Sequence, residues 1–221
     1  PKYWRHGAQG LMGKWSNGKG YGLFINEDGC IELRVNNEKV ATTAPVRDHA
    51  WHFIAATYDS KTGEAVLYHE PQIVYALDPA IPPVKKKLGV KVENQKGVPF
   101  TVAAYTKALD NSPLARSSRP AGIVMSGQYN GKIDSPRLCN KALSRQDIET
   151  MKLGSQPGMS ERRHCGPTGE LAEAIVGSWD FSDGINTIIG RDHGPYVFDI
   201  QLVNCPTRAM TGHPFTGHNF D

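Results

Sequence analysis

Short segments of alternating polarity, separated by turn residues, fill the chain from about residue 9 to 140. Within them an apolar residue recurs at every second position, and the breaks contain Gly, Asn, Asp and Pro. A period of two places successive side chains on opposite faces of a strand, whereas a helix needs a period near 3.6. The pattern therefore predicts a meandering antiparallel sheet, and 221 residues suffice for one all-β domain.

The clearest hairpin is predicted over residues 21–35. Apolar residues alternate over 21–25 and again over 31–35, and Asp28-Gly29 lies between them. Glycine accepts the positive φ of a tight turn, so the two segments are expected to pair around these two residues.

Residues 51–58 are apolar on both faces, which predicts a central strand covered on both sides. A turn at 59–63 and a partner strand at 64–69 follow. The Pro-rich stretch 78–83 lacks ladder donors and is predicted to be a surface crossover.

Strands are predicted to resume over 88–92 and 100–105, with a loop over 109–120. The basic run Lys85–Lys87 is interpreted as a solvated strand start, or as an edge kept from pairing with another chain.

One helix is well signalled after residue 143. Ser144 is its predicted N-cap, Asp147 completes a capping box, and Gly154 provides a left-handed stop. A mobile connection over 155–169, a strand over 174–181 and a last strand pair near 185–189 and 196–203 complete the expected elements.

Composition excludes several classes of protein. No apolar run approaches the roughly 20 residues of a membrane span, and a net charge of +3 is too small and too dispersed for nucleic acid. The cysteines are widely spaced, which favours free thiols in a reducing cytoplasm over a disulfide scaffold or zinc knuckle. They are Cys30, Cys139, Cys165 and Cys205.

Two stretches resemble a known family. Residues 51–59 with 63–68 resemble the paired central strands of laminin-G-like (concanavalin A-like) jelly rolls, and 130–148 resemble the strand, turn and capped helix that follow in such domains. The resemblance implies an antiparallel jelly-roll β-sandwich with one short capped helix. It places the sandwich at 1–160, with an irregular connection, returning strands that complete it and a polar tail at 161–221.

The order of the segments indicates one particular group of proteins that contain such domains. Residues 177–182 and 204–212 resemble the opening of such a domain but come last here, as in the module inside the large subunit of N,N-dimethylformamidase and its relatives. This implies a non-catalytic fragment that packs against a catalytic amidohydrolase domain or a neighbouring subunit. The family's iron site, served by Tyr and Glu, would lie beyond Asp221, so no catalytic residue and no cofactor are assigned to this chain.

Carboxylate patterns argue against glycoside hydrolysis. That reaction needs two carboxylates about 5 Å apart, for which Glu-x-Asp-x-Glu on one strand face is a suitable spacing. Here Glu32 alternates with Arg34 and Asn36, and Glu64 alternates with Val66.

Histidine and aspartate residues give weak candidates for a metal site and for a catalytic base. His213 and His218, with Asp221, are interpreted as a solvated tail rather than a metal site. The triplet Arg191-Asp192-His193 is interpreted as a turn held by local hydrogen bonds rather than a catalytic base.

For calcium, the candidates are Asp110, Asn111 and Asp134. The favoured interpretation is an Asx turn at Asp110-Asn111, with Asp134 at a strand position where its carboxylate accepts backbone donors.

A carbohydrate-binding, lectin-like module remains the alternative function, by analogy with the fold alone. Its stacking platform would come from strand aromatics, for which core packing is the favoured interpretation. These aromatics are Trp15, Tyr21, Tyr58, Tyr68, Tyr105 and Tyr129.

Overall fold

The computed structural model describes most of the chain, in eight stretches: 7–47, 50–71, 81–93, 95–109, 123–153, 169–179, 181 and 188–202. The chain divides into two compact units, Pro1–Gly131 and Lys132–Asp221. The domain boundary predicted between residues 160 and 161 lies outside the described residues.

The larger sheet of the first unit has five antiparallel strands: β1 (Gln9–Ser16), β2 (Lys19–Ile25), β3 (Cys30–Val35), β4 (Glu38–Pro45) and β8 (Thr101–Val102). Their order in the sheet is β4-β3-β2-β1-β8.

The hairpin predicted over 21–35 is confirmed, with Leu23 opposite Leu33. Its turn differs from the predicted two-residue form. Of the two predicted turn residues, Gly29 alone has positive φ, at 79°, and the Asn26 amide N–H donates to the Cys30 carbonyl across three intervening residues. The Asn26 side chain accepts the Asp28 and Cys30 N–H groups, so this asparagine determines the longer turn.

A three-stranded antiparallel sheet has the order β5-β6-β7, with β5 at His52–Asp59, β6 at Glu64–Pro71 and β7 at Val84–Lys87. Within the described strands, the prediction that 51–58 is central is wrong. Among the described strands β5 pairs with β6 alone, and each of its residues is only half-buried. The middle strand is β6, which is buried over Ala65–His69.

The lysine run forms an edge, as interpreted from the sequence. Lys85, Lys86 and Lys87 are exposed on β7, which pairs only with β6 among the described strands. The strand predicted over 88–92 is wrong, because the chain has already left the sheet when it reaches Leu88.

The strand predicted over 100–105 is broken at Ala103, whose φ is +64°. It divides into β8 and β9 (Tyr105–Leu109), and β9 pairs with β10 (Ile123–Ser126). The loop predicted over 109–120 and residues 78–80 of the predicted crossover lie almost wholly outside the described residues.

The two larger sheets pack through β3 and β4 against β6 and β7. Their interior is aliphatic, because alternate strand positions supply apolar side chains. The most deeply buried members, at most 1% exposed, include Ile31, Val35, Ala65, Leu67 and Leu88.

The second unit contains short elements. Strand β11 (Arg137–Cys139) pairs with β12 (Ile175–Ser178), and β13 (Ile189–Gly190) pairs with β14 (Ile200–Gln201). Strands were predicted over 174–181, 185–189 and 196–203, and among the described residues of these segments strand structure is confined to 175–178, 189 and 200–201.

The predicted helix is confirmed as α1 (Arg145–Leu153). The Ser144 amide donates to the Asp147 carboxylate at 3.0 Å, and the Asp147 amide donates to Ser144 Oγ at 3.2 Å, which completes the capping box. A second helix, α2 (Glu170–Glu173), was not predicted. The predicted stop at Gly154 and the connection over 155–168 lie outside the described residues.

The predicted fold class, an all-β antiparallel sandwich with a short capped helix, is confirmed. The specific jelly-roll arrangement stays a prediction. Neither described helix combines the length and apolar character that crossing a membrane requires.

Candidate interaction surface

The hairpin of β13 and β14, residues 188–202, displays an apolar surface to solvent. Six large hydrophobic side chains are exposed among the described residues, and five of them belong to this hairpin. The most exposed are Val197 at 70% and Ile188 at 60%, followed by Tyr196 and Phe198 at 54% each. Such a concentration is unusual for solvent-facing surface and is typical of contact sites.

The carboxylate of Asp192 organises the loop of this hairpin. Its Oδ1 accepts the amide N–H groups of Ser178 and Gly194, each at 2.7 Å, and its Oδ2 accepts that of Phe198 at 2.7 Å. The Asp192 amide itself donates to Asp199 Oδ1 at 2.9 Å. The local hydrogen bonds expected at 191–193 are present at Asp192, although the turn itself lies at residues 195–196.

Trp179 fastens the same loop to β12. Its indole N–H donates to the Phe198 carbonyl at 2.9 Å, and its ring, only 3% exposed, lies against Gly177. A Cβ on Gly177 would lie 2.4 Å from that ring, so only glycine permits the approach. The His193 amide adds a bond to the Ser178 carbonyl at 2.7 Å.

The tip of the loop holds a strained conformation. Val197 has φ +56°, which is costly for a β-branched residue, and the flanking rings of Tyr196 and Phe198 stack at 5.8 Å with planes 21° apart. Such strain persists only where surrounding contacts fix it, and the bonds of Asp192 and Trp179 do so here. The result is a pre-organised apolar surface, here called the aromatic loop (residues 191–199).

A second unusual feature, the pair His52–His69, lies in the first unit. His52 on β5 and His69 on β6 have ring nitrogens 2.9 Å apart and ring centroids 4.9 Å apart. His69 is 1% exposed, and its Nδ1 has no hydrogen-bond partner. Burial, with a smaller contribution from His52, lowers the pKa of His69 to about 4. Burial also lowers the pKa of His52.

The pairing of these two histidines was not predicted, although the sequence contains a signal for it. The predicted turn at 59–63 places Asp59 opposite Glu64, as the structure does. Counting back from that pair brings His52 and His69 to diagonal positions on one face.

Two residues of the candidate aromatic platform, Trp15 and Tyr105, pack together with Phe24. The rings of Trp15, Phe24 and Tyr105 meet one another at 5.5–5.6 Å, and the Arg34 guanidinium lies 4.2 Å from the Phe24 centroid. Among the other candidates, Tyr68 is buried, the Tyr58 hydroxyl donates to the Val90 carbonyl, and burial raises the pKa of Tyr21 and Tyr129.

Glu32 is surrounded by cations rather than by a second carboxylate. Its carboxylate, 2% exposed, lies 2.6 Å from Arg34 Nε and 3.4 Å from Lys39 Nζ. This is a buried ion pair, and it lacks the adjacent acid that glycoside hydrolysis requires. Glu64 is exposed at the start of β6.

Asp134 lies before β11 rather than in a strand, and its Oδ1 accepts the Ser135 hydroxyl at 3.1 Å. Its Oδ2 is buried and has no hydrogen-bond partner, so the prediction of backbone donors is wrong. No group of three potential metal ligands occurs among the described residues. The candidates Asp110, Asn111, His213, His218 and Asp221 lie outside them.

Both described cysteines are free thiols, Cys30 and Cys139. Burial is the main cause that raises the pKa of each, so neither is an activated nucleophile. Cys165 and Cys205 lie outside the described residues.

No family model matches the chain. The N,N-dimethylformamidase beta subunit of Paracoccus aminophilus is 28% identical to it over 230 aligned positions, and that of an Alcaligenes species is 26% identical over 234. This chain is similar to part of an enzyme subunit. Each alignment covers 96% of the chain but 27% of the relative, so the chain spans about a quarter of the length of these relatives.

Among solved structures, a Bacteroides ovatus protein with a proposed carbohydrate-binding role matches 91% of this chain and 51% of its own. The sequence identity is 14% and the TM-score is 0.49.

Proposed function

We propose that this chain is a non-catalytic β-sandwich module of an N,N-dimethylformamidase-like beta subunit, and that it serves packing and assembly beside the amidohydrolase part of that subunit. The similarity to two such subunits runs along nearly the whole chain, which supports a module belonging to a longer protein of that kind.

The observation that carries the proposal is the aromatic loop. Exposure of the side chains of Tyr196, Val197 and Phe198 to water does not stabilise the loop. Asp192 nevertheless holds the loop in this conformation by accepting three backbone hydrogen bonds. Rigid exposed aromatics lose little conformational entropy on binding, so this surface is suited to permanent contact with another protein surface.

The test uses the double variant Tyr196→Ser/Phe198→Ser in two contexts: the 221-residue chain, and the product of its complete reading frame. In the 221-residue chain the change should be nearly neutral in stability, because the removed side chains are exposed. In the complete protein the same change should lower the melting temperature and weaken assembly in sedimentation-velocity experiments.

Val92→Ser is the matched control. Val92 is the one exposed large hydrophobic side chain outside the hairpin among the described residues, at 37%. It should be neutral in both contexts. The proposal is wrong if the double variant is also neutral in both, or if the reading frame encodes no further domain.

A glycan array addresses the alternative function. A packing module should give no hits, whereas binding at micromolar to millimolar strength would favour the carbohydrate-binding module.

A further inference from the structure

We propose that His52 and His69 form a proton-operated latch, which holds the start of β5 to the end of β6 at neutral pH and releases it in acid. The latch lies inside the first unit and acts whether or not the chain packs in a larger subunit.

The first observation is the geometry of the shared hydrogen bond. His69 Nε2 and His52 Nδ1 are 2.9 Å apart, so one nitrogen must donate a proton and the other must accept it. His52 Nε2 lies 3.0 Å from the Arg47 amide nitrogen and 3.2 Å from the Arg47 carbonyl oxygen, so either tautomer of His52 finds a partner. Two neutral imidazoles therefore close the strand pair at this end.

The closed histidine pair can hold one added proton but not two. A first proton can be held by His52, because its Nε2–H then donates to the Arg47 carbonyl while its Nδ1–H donates to His69. A second proton leaves two N–H groups facing each other across the 2.9 Å contact. The remaining nitrogen of His69, Nδ1, is buried without a partner, so the new charge gains no compensating bond there. Double protonation is therefore incompatible with the closed pair.

The described surroundings supply no counter-charge to this pair. The charge of Arg47 lowers the pKa of His52 further, and strand alternation directs Glu70 to the opposite face from His69. On β7, Lys86 Nζ donates to the Lys39 carbonyl at 2.9 Å. On β3 and β4, Glu32 pairs with Arg34 and Lys39, and Glu38 is exposed at the start of β4.

The sign of the pH dependence follows from the lowered pKa of His69. When the strand pair is open, the pKa of His69 is its ordinary value of 6.5, whereas it is about 4 when the pair is closed. The open state therefore binds more protons between pH 4 and 6.5. Acid therefore favours opening. From His69 alone, the opening equilibrium constant should rise roughly 75-fold between pH 8 and pH 4.5.

The experiment follows amide hydrogen exchange in the 221-residue chain from pH 8 to 4.5, corrected for intrinsic exchange rates. The amides of residues 52–54, 69 and 70 adjoin the latch, whereas those of 57–59 and 64–66 lie at the turn end of the same strand pair. The latch end should show the roughly 75-fold rise, and the turn end a much smaller change.

The variant His69→Gln removes the titrating group and keeps a polar side chain, so it should flatten the pH dependence at the latch end. His193→Gln, in the second unit, is the matched control and should leave the dependence intact. The inference fails if His69→Gln keeps the wild-type pH profile.

A nuclear magnetic resonance titration of the wild-type histidines needs no variant and decides the matter if His69→Gln does not fold. The latch requires His69 to remain neutral well below pH 6. Ordinary titration near pH 6.5 within the closed strand pair would overturn it.

Discussion

Removal of the Asp192 carboxylate should destabilise the second unit more than any other single polar change in the aromatic loop. The carboxylate accepts three backbone N–H groups at 2.7 Å each and is 8% exposed as a residue. A hydrogen bond to a charged group contributes about 1.5–3 kcal/mol, and such contributions from one group are less than additive. Asp192→Ala should therefore cost about 3–5 kcal/mol.

Asp192→Asn should cost about 1.5–3 kcal/mol, because it removes the charge and one of the acceptor atoms. The amide oxygen can keep the two bonds made by Oδ1, while the amide nitrogen would face the Phe198 N–H as a second donor. Comparison of Asp192→Asn with Asp192→Ala thus distinguishes loss of one of the three hydrogen bonds from loss of all three.

Urea unfolding of the 221-residue chain, followed by tryptophan fluorescence, measures both variants. Trp179 reports on the second unit because its indole is bonded to the Phe198 carbonyl. Asp199→Asn, which alters only the carboxylate that accepts the Asp192 amide, is the milder control. A loss below about 1 kcal/mol for Asp192→Ala would refute the view that this carboxylate holds the loop.

Three further outcomes are expected. Leu67→Ala, at a position with no exposure, should destabilise the first unit by about 2–5 kcal/mol in urea unfolding, and a loss under 1 kcal/mol would contradict the burial of β6. Ser144→Ala should remove the cap of α1 at a cost of about 0.5–2 kcal/mol, whereas Ser144→Asp should retain most of it. Gly177→Ala should displace the Trp179 ring and shift its fluorescence, since the added Cβ would lie 2.4 Å from it; an unchanged spectrum would refute the close approach.

Local patterns were sufficient for the hairpin over 21–35 and for α1. In both, the signal and the structure concern the same few residues: alternation with a turn glycine in the first, and Ser144 with Asp147 in the second.

The position of β5 in its sheet could not be deduced in the same way. Apolar residues on both faces of 51–58 report what covers the faces of a strand. They carry no information about its edges, where backbone groups pair regardless of side chain.

The conformation of the aromatic loop could not be predicted from the sequence for a related reason. Tyr196, Val197 and Phe198 have high strand propensity, so the predicted strand began at residue 196, whereas β14 covers only Ile200–Gln201. Asp192 captures the Phe198 N–H and thereby removes it from any ladder. A tertiary hydrogen bond of this kind overrides strand propensity, and no periodic pattern in the sequence indicates it.

The buried contact of Glu32 with Arg34 also constrains how this protein can diverge. Loss of Arg34 alone would leave the Glu32 carboxylate, 2% exposed, with only the longer contact to Lys39 at 3.4 Å, at a cost of up to roughly 3–5 kcal/mol, while joint replacement by apolar residues of similar volume can be neutral. In descendants of this sequence the two positions should therefore change in concert, and a chain carrying only one of the two charges should be rare.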